Sequence, residues 1–299
     1  MEKYKGHIAA GVTVIIWATT FVSTKVLLKS FLPIEILFIR FLLGFIALAI
    51  VSPKIIPFKN WKEEFYFICA GISGVFLYYY LENVALTYTF AMNVGIIGSL
   101  SPFMTALLSR FVLKQGKLYK MFIMGFIFSL IGISLISLNG AIQVNPIGYG
   151  LAFIAIFFWA IYSLFVKKIS SFGYSTIGMT KKIFFYGLIT MLPVLLLSID
   201  HFDFSRLANG ENFWNLIFLG LGASATCFVT WNFSVKMLGP VRSSIYIYSI
   251  PMLTTISSVI ILHEPLSLKT FFGICLTLLG LFLSEWPNIS ASRQMRQKE

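Results

Sequence analysis

Apolar residues come in long runs along this chain, and short polar connectors separate them. GHIAAGVTVIIWATTFVSTKVLL (6–28) and MFIMGFIFSLIGISLISL (121–138) hold no Asp or Glu and almost no Lys or Arg. Crossing a hydrocarbon core about 30 Å thick takes roughly 20 such residues. The pattern predicts ten spans, over residues 7–28, 33–52, 64–86, 91–112, 119–138, 147–166, 175–198, 212–235, 242–262 and 268–286. The expected fold is therefore an all-α integral membrane protein with ten transmembrane helices. The longest connector, around 199–211, carries Asp200, His201, Asp203, Arg206 and Glu211.

Composition removes the soluble alternative. The 299 residues are 58% hydrophobic and 11% charged, with mean hydropathy +0.87. A soluble domain of that size needs more polar surface to cover its core. The net charge of +12 would suggest nucleic acid in a soluble protein, but here the basic residues sit in connectors. On one side of the predicted membrane lie fifteen Lys and Arg, counting both termini. On the other lie three, Lys29, Arg206 and Lys269. By the positive-inside rule both termini are expected in the cytoplasm, in a multi-pass protein of the cell membrane. The first apolar run lacks a small-residue cleavage site after it and is expected to be retained. Cys69, Cys227 and Cys275 are far apart, without metal-ligand spacing, and read as small packed hydrophobes.

The two halves of the sequence resemble each other. At an offset of 142, Trp17 meets Trp159, Lys25 meets Lys167 and Arg40 meets Lys182. At an offset of 149, Asn83 meets Asn232, Pro102 meets Pro251 and Thr105 meets Thr254. The fifth and tenth spans each carry two glycines seven apart, Gly125/Gly132 and Gly273/Gly280. An odd number of spans per copy makes the second copy enter from the opposite side. The expected organisation is two inverted five-helix repeats, 1–141 and 142–299, the architecture of alternating access.

These features resemble the EamA-type members of the drug/metabolite transporter superfamily. The second half carries the more specific pattern: Trp231–Asn232, Gly239, Pro251 in mid-span, Glu264–Pro265 closing the ninth span, then Gly273 and Gly280. The first half matches through Trp17, Arg40, the ENVALTYTFA run and Pro102. It departs at Lys114–Gln115, where the family often has an acid before a base. The resemblance implies a central cavity between the halves, open alternately to each side. It implies movement of a small-molecule substrate such as an amino acid, amine or drug, with export as the family tendency and without ATP hydrolysis or a cofactor.

Glu82 is the acid placed well inside a span, whereas Glu35, Glu264 and Glu285 lie near span ends. A charge in the membrane costs about 2.5–3.5 kcal/mol on insertion scales, so it faces a cavity or a partner. Two readings stand beside each other: a cation-binding or proton-coupling carboxylate, and a salt bridge to Arg40. Spacing of 3, 4 and 4 would set Gly71, Gly74, Tyr78 and Glu82 on one helix face. Arg40 could hold a substrate carboxylate or snorkel to the interface. Thr13, Trp17, Thr20 and Thr24 share a side of the first span, and Gly95, Gly98, Ser99, Pro102 and Thr105 one of the fourth. Tyr246, Tyr248, Ser249, Pro251 and Thr255 do so in the ninth. Trp17, Trp159, Trp231, Asn83 and Asn232 are expected either to line the cavity or to pack helices. Pro102 and Pro251 can kink their spans and are gating candidates. The glycine pairs would join the fifth and tenth spans to each other or to a second protomer in a homodimer.

Motifs for catalysis are incomplete. HEPLS (263–267) lacks the second histidine of a zinc-protease motif, and no GxxxxGK loop or GxSxG elbow occurs. An intramembrane enzyme or lipid-handling protein and a channel are the rival classes.

Overall fold

The computed structural model describes residues 2–112, 114, 120–137, 145–198 and 203–296. The repeat boundary at 141, and Asp200 and His201, fall outside them. Among the described residues there are helices and no strands. That is the expected outcome in lipid, where only a helix satisfies every backbone group within its own segment.

Two long helices open the chain, α1 (Glu2–Leu27) and α2 (Pro33–Val51). The third span joins α3 (Trp61–Ala70), a π-helical segment (Gly71–Leu77) and α4 (Tyr78–Tyr88). The fourth is broken into α5 (Ala91–Gly98) and α6 (Ser101–Val112), and α7 (Lys120–Ser137) follows. After α8 (Pro146–Ser170) and α9 (Thr176–Leu196) the pattern recurs. A second π segment (Phe218–Thr226) lies between α10 (Gly210–Ile217) and α11 (Cys227–Leu238). A 3₁₀ stretch (Ile245–Ser249) then separates α12 (Pro240–Ser244) from α13 (Ile250–Leu262), and α14 (Leu268–Arg296) ends the chain.

Eight of these helical stretches are long and apolar enough to cross a membrane. They are Tyr4–Leu27, Pro33–Val51, Trp61–Tyr88, Ala91–Val112, Pro146–Ser170, Thr176–Leu196, Gly210–Leu238 and Pro240–Leu262. Two shorter apolar helices, Lys120–Leu135 and Leu268–Ser284, lie where the other two spans were expected.

Sequence chemistry sets the boundaries. Pro33 and Pro146 stand in the first turns of α2 and α8, where a missing N–H costs nothing. Side chains of Asn145, Ser175 and Asn209 accept hydrogen bonds from the first amides of α8, α9 and α10. Lys114 and His263 both take left-handed backbone, each at φ 53°, at aligned positions 149 residues apart.

The helices pack across the midpoint of the chain rather than within each half. α1 lies on α11 and α13, as α8 lies on α4 and α6. α2 lies on the second π segment, as α9 lies on the first. Gly71 meets Ile183, Tyr186 and Gly187 of α9, and Gly220 meets Leu43 of α2. The bundle has two ends. Gly6, His7, Ser52, Lys181 and Leu238 belong to the terminal face, and Lys25, Pro33, Leu86, Ala91 and Glu264 to the opposite one, termed the Lys25 face.

α7 and α14 pair closely with each other within one chain. A Cβ at Gly125 would lie 2.3 Å from the Gly280 carbonyl oxygen, and one at Gly132 2.6 Å from that of Gly273. Both glycine pairs are thus used up by this intramolecular contact, so a second protomer would have to meet another face. Gly280→Leu is expected to force the helices apart at a cost of ~1–3 kcal/mol. Unfolding in detergent should show a Tm lower by several degrees, whereas Gly11→Leu, with no atom within 4 Å of its Cβ, should leave it unchanged.

Candidate functional site

The two halves meet at a knot of aromatic rings. Trp17 stands edge-on to Trp159 at 5.1 Å and tilts against Trp231 at 5.1 Å. Tyr78 reaches Trp159 at 4.9 Å, and Phe228 touches Trp17, Tyr79, Trp159 and Tyr162. Bringing Trp17 and Trp159 together joins two residues that the sequence comparison pairs.

A narrow cavity of about 20 Å³ opens beside this knot. Its walls are Trp17, Thr20 and Phe21 of α1, Tyr78, Tyr79 and Glu82 of α4, and Gly98 and Ser101 at the break of the fourth span. Trp159 of α8, Ile247 and Ile250 complete it. Glu82 supplies the carboxylate, and Tyr78 stands one turn before it. Thr20 and Ser101 spend their hydroxyls on backbone carbonyls of Trp17 and Gly98. In this conformation the space admits about one water molecule.

The breaks beside the cavity have a common chemistry. Pro102 and Pro251 each fall in the first turn of a new helix, α6 and α13, after the preceding segment has stopped. The sequence predicts a kink at these prolines; the structure has full interruptions. Short bonds repair them: Leu100 N to Ile97 O at 2.9 Å, and the Ser101 and Ser249 hydroxyls to Gly98 O and Tyr246 O.

Of the expected site residues, Trp17, Tyr78, Glu82 and Trp159 line the cavity. The others do not. Trp231 backs the aromatic knot with its Nε1 buried and unpartnered. Asn232 accepts from the Tyr162 hydroxyl at 2.6 Å and donates to Thr180 at 2.9 Å, tying α11 to α8 and α9. Asn83 donates to the Pro33 carbonyl at 3.2 Å. Ser99 is buried and bonds to Ile96 O. Tyr246 pairs with His7 at 2.8 Å, and Tyr248 lies against Phe103 and Ser284.

Two expectations need correction. Gly71 does not share the cavity face with Tyr78 and Glu82: it turns to α9, while Gly74 sits under the Tyr162 ring of α8. The cause is the π-helical segment, whose wider turn breaks the 3.6-residue register assumed from spacing. Nor does Arg40 pair with Glu82. The ion pairs among the described residues are Lys59–Glu63, Lys182–Glu64 and Arg206–Glu35. Arg40 is wholly buried rather than snorkelling. Its Nε donates to Ser224 Oγ at 3.1 Å, its plane covers the Tyr79 ring at 4.5 Å, and its Nη1 and Nη2 have no partner. Lys182, its counterpart in the second half, instead bonds to Glu64 at 2.8 Å. Tyr79, Phe21, Ser101, Ile247 and Ile250 are lining residues that spacing missed. All but Phe21, which lies within α1, sit at or beside helix interruptions, which no periodic template locates.

Comparison with known proteins supplies the identity of the scaffold. The model of the EamA-like transporter family matches the chain twice, over residues 4–138 and 146–286. The chain belongs to this family. Two proteins of Archaeoglobus fulgidus, each described as an uncharacterized transporter, are 27% identical to this EamA-like transporter. The matches cover 94% and 93% of it and 97% and 98% of the relatives. A Clostridium kluyveri protein with the same description is 27% identical over 96% of this chain and 95% of its own. A crystal structure with 19% identity superposes with a TM-score of 0.66 over 93% of this chain and 96% of that one, which shows a shared fold.

The EamA-like scaffold separates packing residues from lining ones in a measurable way. Asn232→Ala would strand the buried Tyr162 hydroxyl, at a cost of about 1–3 kcal/mol. Asn83→Ala loses one long bond from a side chain whose Oδ1 is already unpartnered. Thermal unfolding in detergent should therefore show the larger loss for Asn232→Ala.

Proposed function

We propose that this protein is a secondary transporter that moves a small organic amine, amino acid or cationic drug across the cell membrane by alternating access. The observation that carries this reading is the cavity: both halves build it, aromatic rings wall it, and Glu82 is its carboxylate. A cation suits such a site twice over, through the carboxylate and through the faces of Trp17, Tyr78 and Trp159.

The architecture proposed is ten spans in two inverted repeats, 1–141 and 142–299, with α7 and α14 as the fifth and tenth spans. Reciprocal packing supports it, since each contact of α1 and α2 with the second half has a counterpart from α8 and α9. The matched left-handed residues Lys114 and His263 support it too. The charge distribution favours both termini in the cytoplasm, which makes the Lys25 face the outer one. Export is the proposed direction, on the tendency of the family.

Glu82 is proposed as the residue where substrate and proton exchange. Among the described residues no ion pair holds it, so it can give up a proton and accept an ammonium group in its place. The test is counterflow in proteoliposomes, after a thermal-shift panel of amines, amino acids, nucleosides and sugars has found a ligand. Flux should saturate, and Glu82→Gln should reduce it at least about tenfold, ~1.4 kcal/mol in the barrier. Unchanged flux and pH dependence in Glu82→Gln would remove the coupling role. Flux that never saturates would make the protein a channel.

A further inference from the structure

We infer that Lys25 and Glu264 form a gate across the outer face, and that the symmetry-related positions on the inner face lack this clamp, which biases the transporter towards opening to the cytoplasm. The inference rests on the orientation and alternating access proposed above.

Both side chains grip one short connection, Thr89–Phe90, between α4 and α5. Lys25 reaches from the last turn of α1 and donates to the carbonyls of Leu86 and Thr89. These end α4, where the helix dipole presents its negative pole to the ammonium. Glu264 follows α13, and its two carboxylate oxygens accept from Ala91 N at 2.8 Å and Met92 N at 3.2 Å. These are the first amides of α5, the positive pole of that helix. The carboxylate is buried, at 6% exposure. A cation thus holds the end of one helix and an anion the start of the next.

This clamp sits over the cavity. Phe21 precedes Lys25 by one turn, Glu82 precedes Leu86 by one turn, and Gly98 lies two turns after Ala91; all three are walls. Opening the outer face means parting α1, α4, α5 and α13, which requires these bonds to break.

The inner face has ties of its own, Lys181 to the carbonyls of Ser52 and Lys54 and Lys182 to Glu64, but not at the positions related to this clamp. The sequence offset that pairs Trp17 with Trp159 pairs Lys25 with Lys167, which has no hydrogen-bond partner among the described residues. The offset that pairs Pro102 with Pro251 aligns Thr89–Phe90 with Leu238–Gly239. There the chain turns on Gly239, at φ +88°, with no side chain capping the first amides of α12. The same offset puts Gln115 opposite Glu264, so the carboxylate is missing from the first copy.

The test uses the full chain in cells, with Cys69, Cys227 and Cys275 replaced by alanine and one reporter, Thr20→Cys, in the cavity wall. A membrane-impermeant maleimide added outside should label it slowly. Glu264→Gln or Lys25→Met should raise the labelling rate at least about fivefold. Gln115→Glu, which gives the first copy an acid at the position aligned with Glu264, should raise it as well. Rates unchanged in gate variants that keep a cooperative melting transition overturn the gate. If those variants do not fold, Gln115→Glu decides alone: no acceleration overturns the asymmetry. Faster labelling in a protein that transports nothing on the panel upholds the gate and counts against the transport reading. Transport with unchanged labelling does the reverse.

Discussion

Hydrocarbon offers no water to an interrupted helix, so every backbone group freed by a break must find its partner inside the protein. The arrangement of this molecule follows from where it breaks its helices and what it uses for repair. At the fourth and ninth spans, tight turns and serine hydroxyls take up the loose carbonyls, and Pro102 and Pro251 restart the helices without needing an amide partner. At the two π segments the repair is different. The ladder is kept but widened, and glycines let neighbouring backbones close over it. The interruptions are what create room: Gly98, Ser101, Ile247 and Ile250 reach the cavity because the chain does not run straight past it.

The ionisable groups divide along the same line. Lys25, Glu264 and Lys181 serve helix ends, with Lys181 binding the carbonyls of Ser52 and Lys54 beyond α2. Glu64, Lys182 and Tyr186 satisfy one another between α3 and α9. Among the described residues, Glu82 and the Nη atoms of Arg40 are outside this accounting, buried without an ion pair. A buried charge left unpaired is costly, and the Ser224 contact and Tyr79 ring offset only part of that for Arg40. Glu82 is a wall of the cavity, whereas Arg40 lies behind that wall against the Tyr79 ring.

Much of this was legible in sequence. Apolar runs located the helices within a few residues, and the glycines seven apart foretold the close pairing of α7 with α14. The match of Trp17 with Trp159 brought two rings together that do meet. What spacing could not give was rotation. A helical period carries a residue's azimuth forward only while the period holds, and the π segment at Gly71–Leu77 resets it. Gly71 was lost for that reason, and Tyr79 was gained. Asparagines were ambiguous for another reason: Asn232 has the same polarity whether it faces a ligand or a tyrosine, and only the position of Tyr162 decides.

The interlocked halves also set conditions on biosynthesis. Arg40 enters the membrane before Ser224, its hydrogen-bond partner 184 residues later, has been made. Glu64 similarly precedes Lys182 by 118 residues. At ribosomal speeds of about 5–20 residues per second, the Arg40 interval is on the order of ten seconds or more. Over that interval the growing chain holds these charges in or beside lipid, with the faces meant for α8 to α11 uncovered. Each half leaves contacts that only the other completes. The growing chain's survival depends on shelter at the insertion machinery until the second set of helices arrives, which makes the rate of translation between the halves part of the folding pathway.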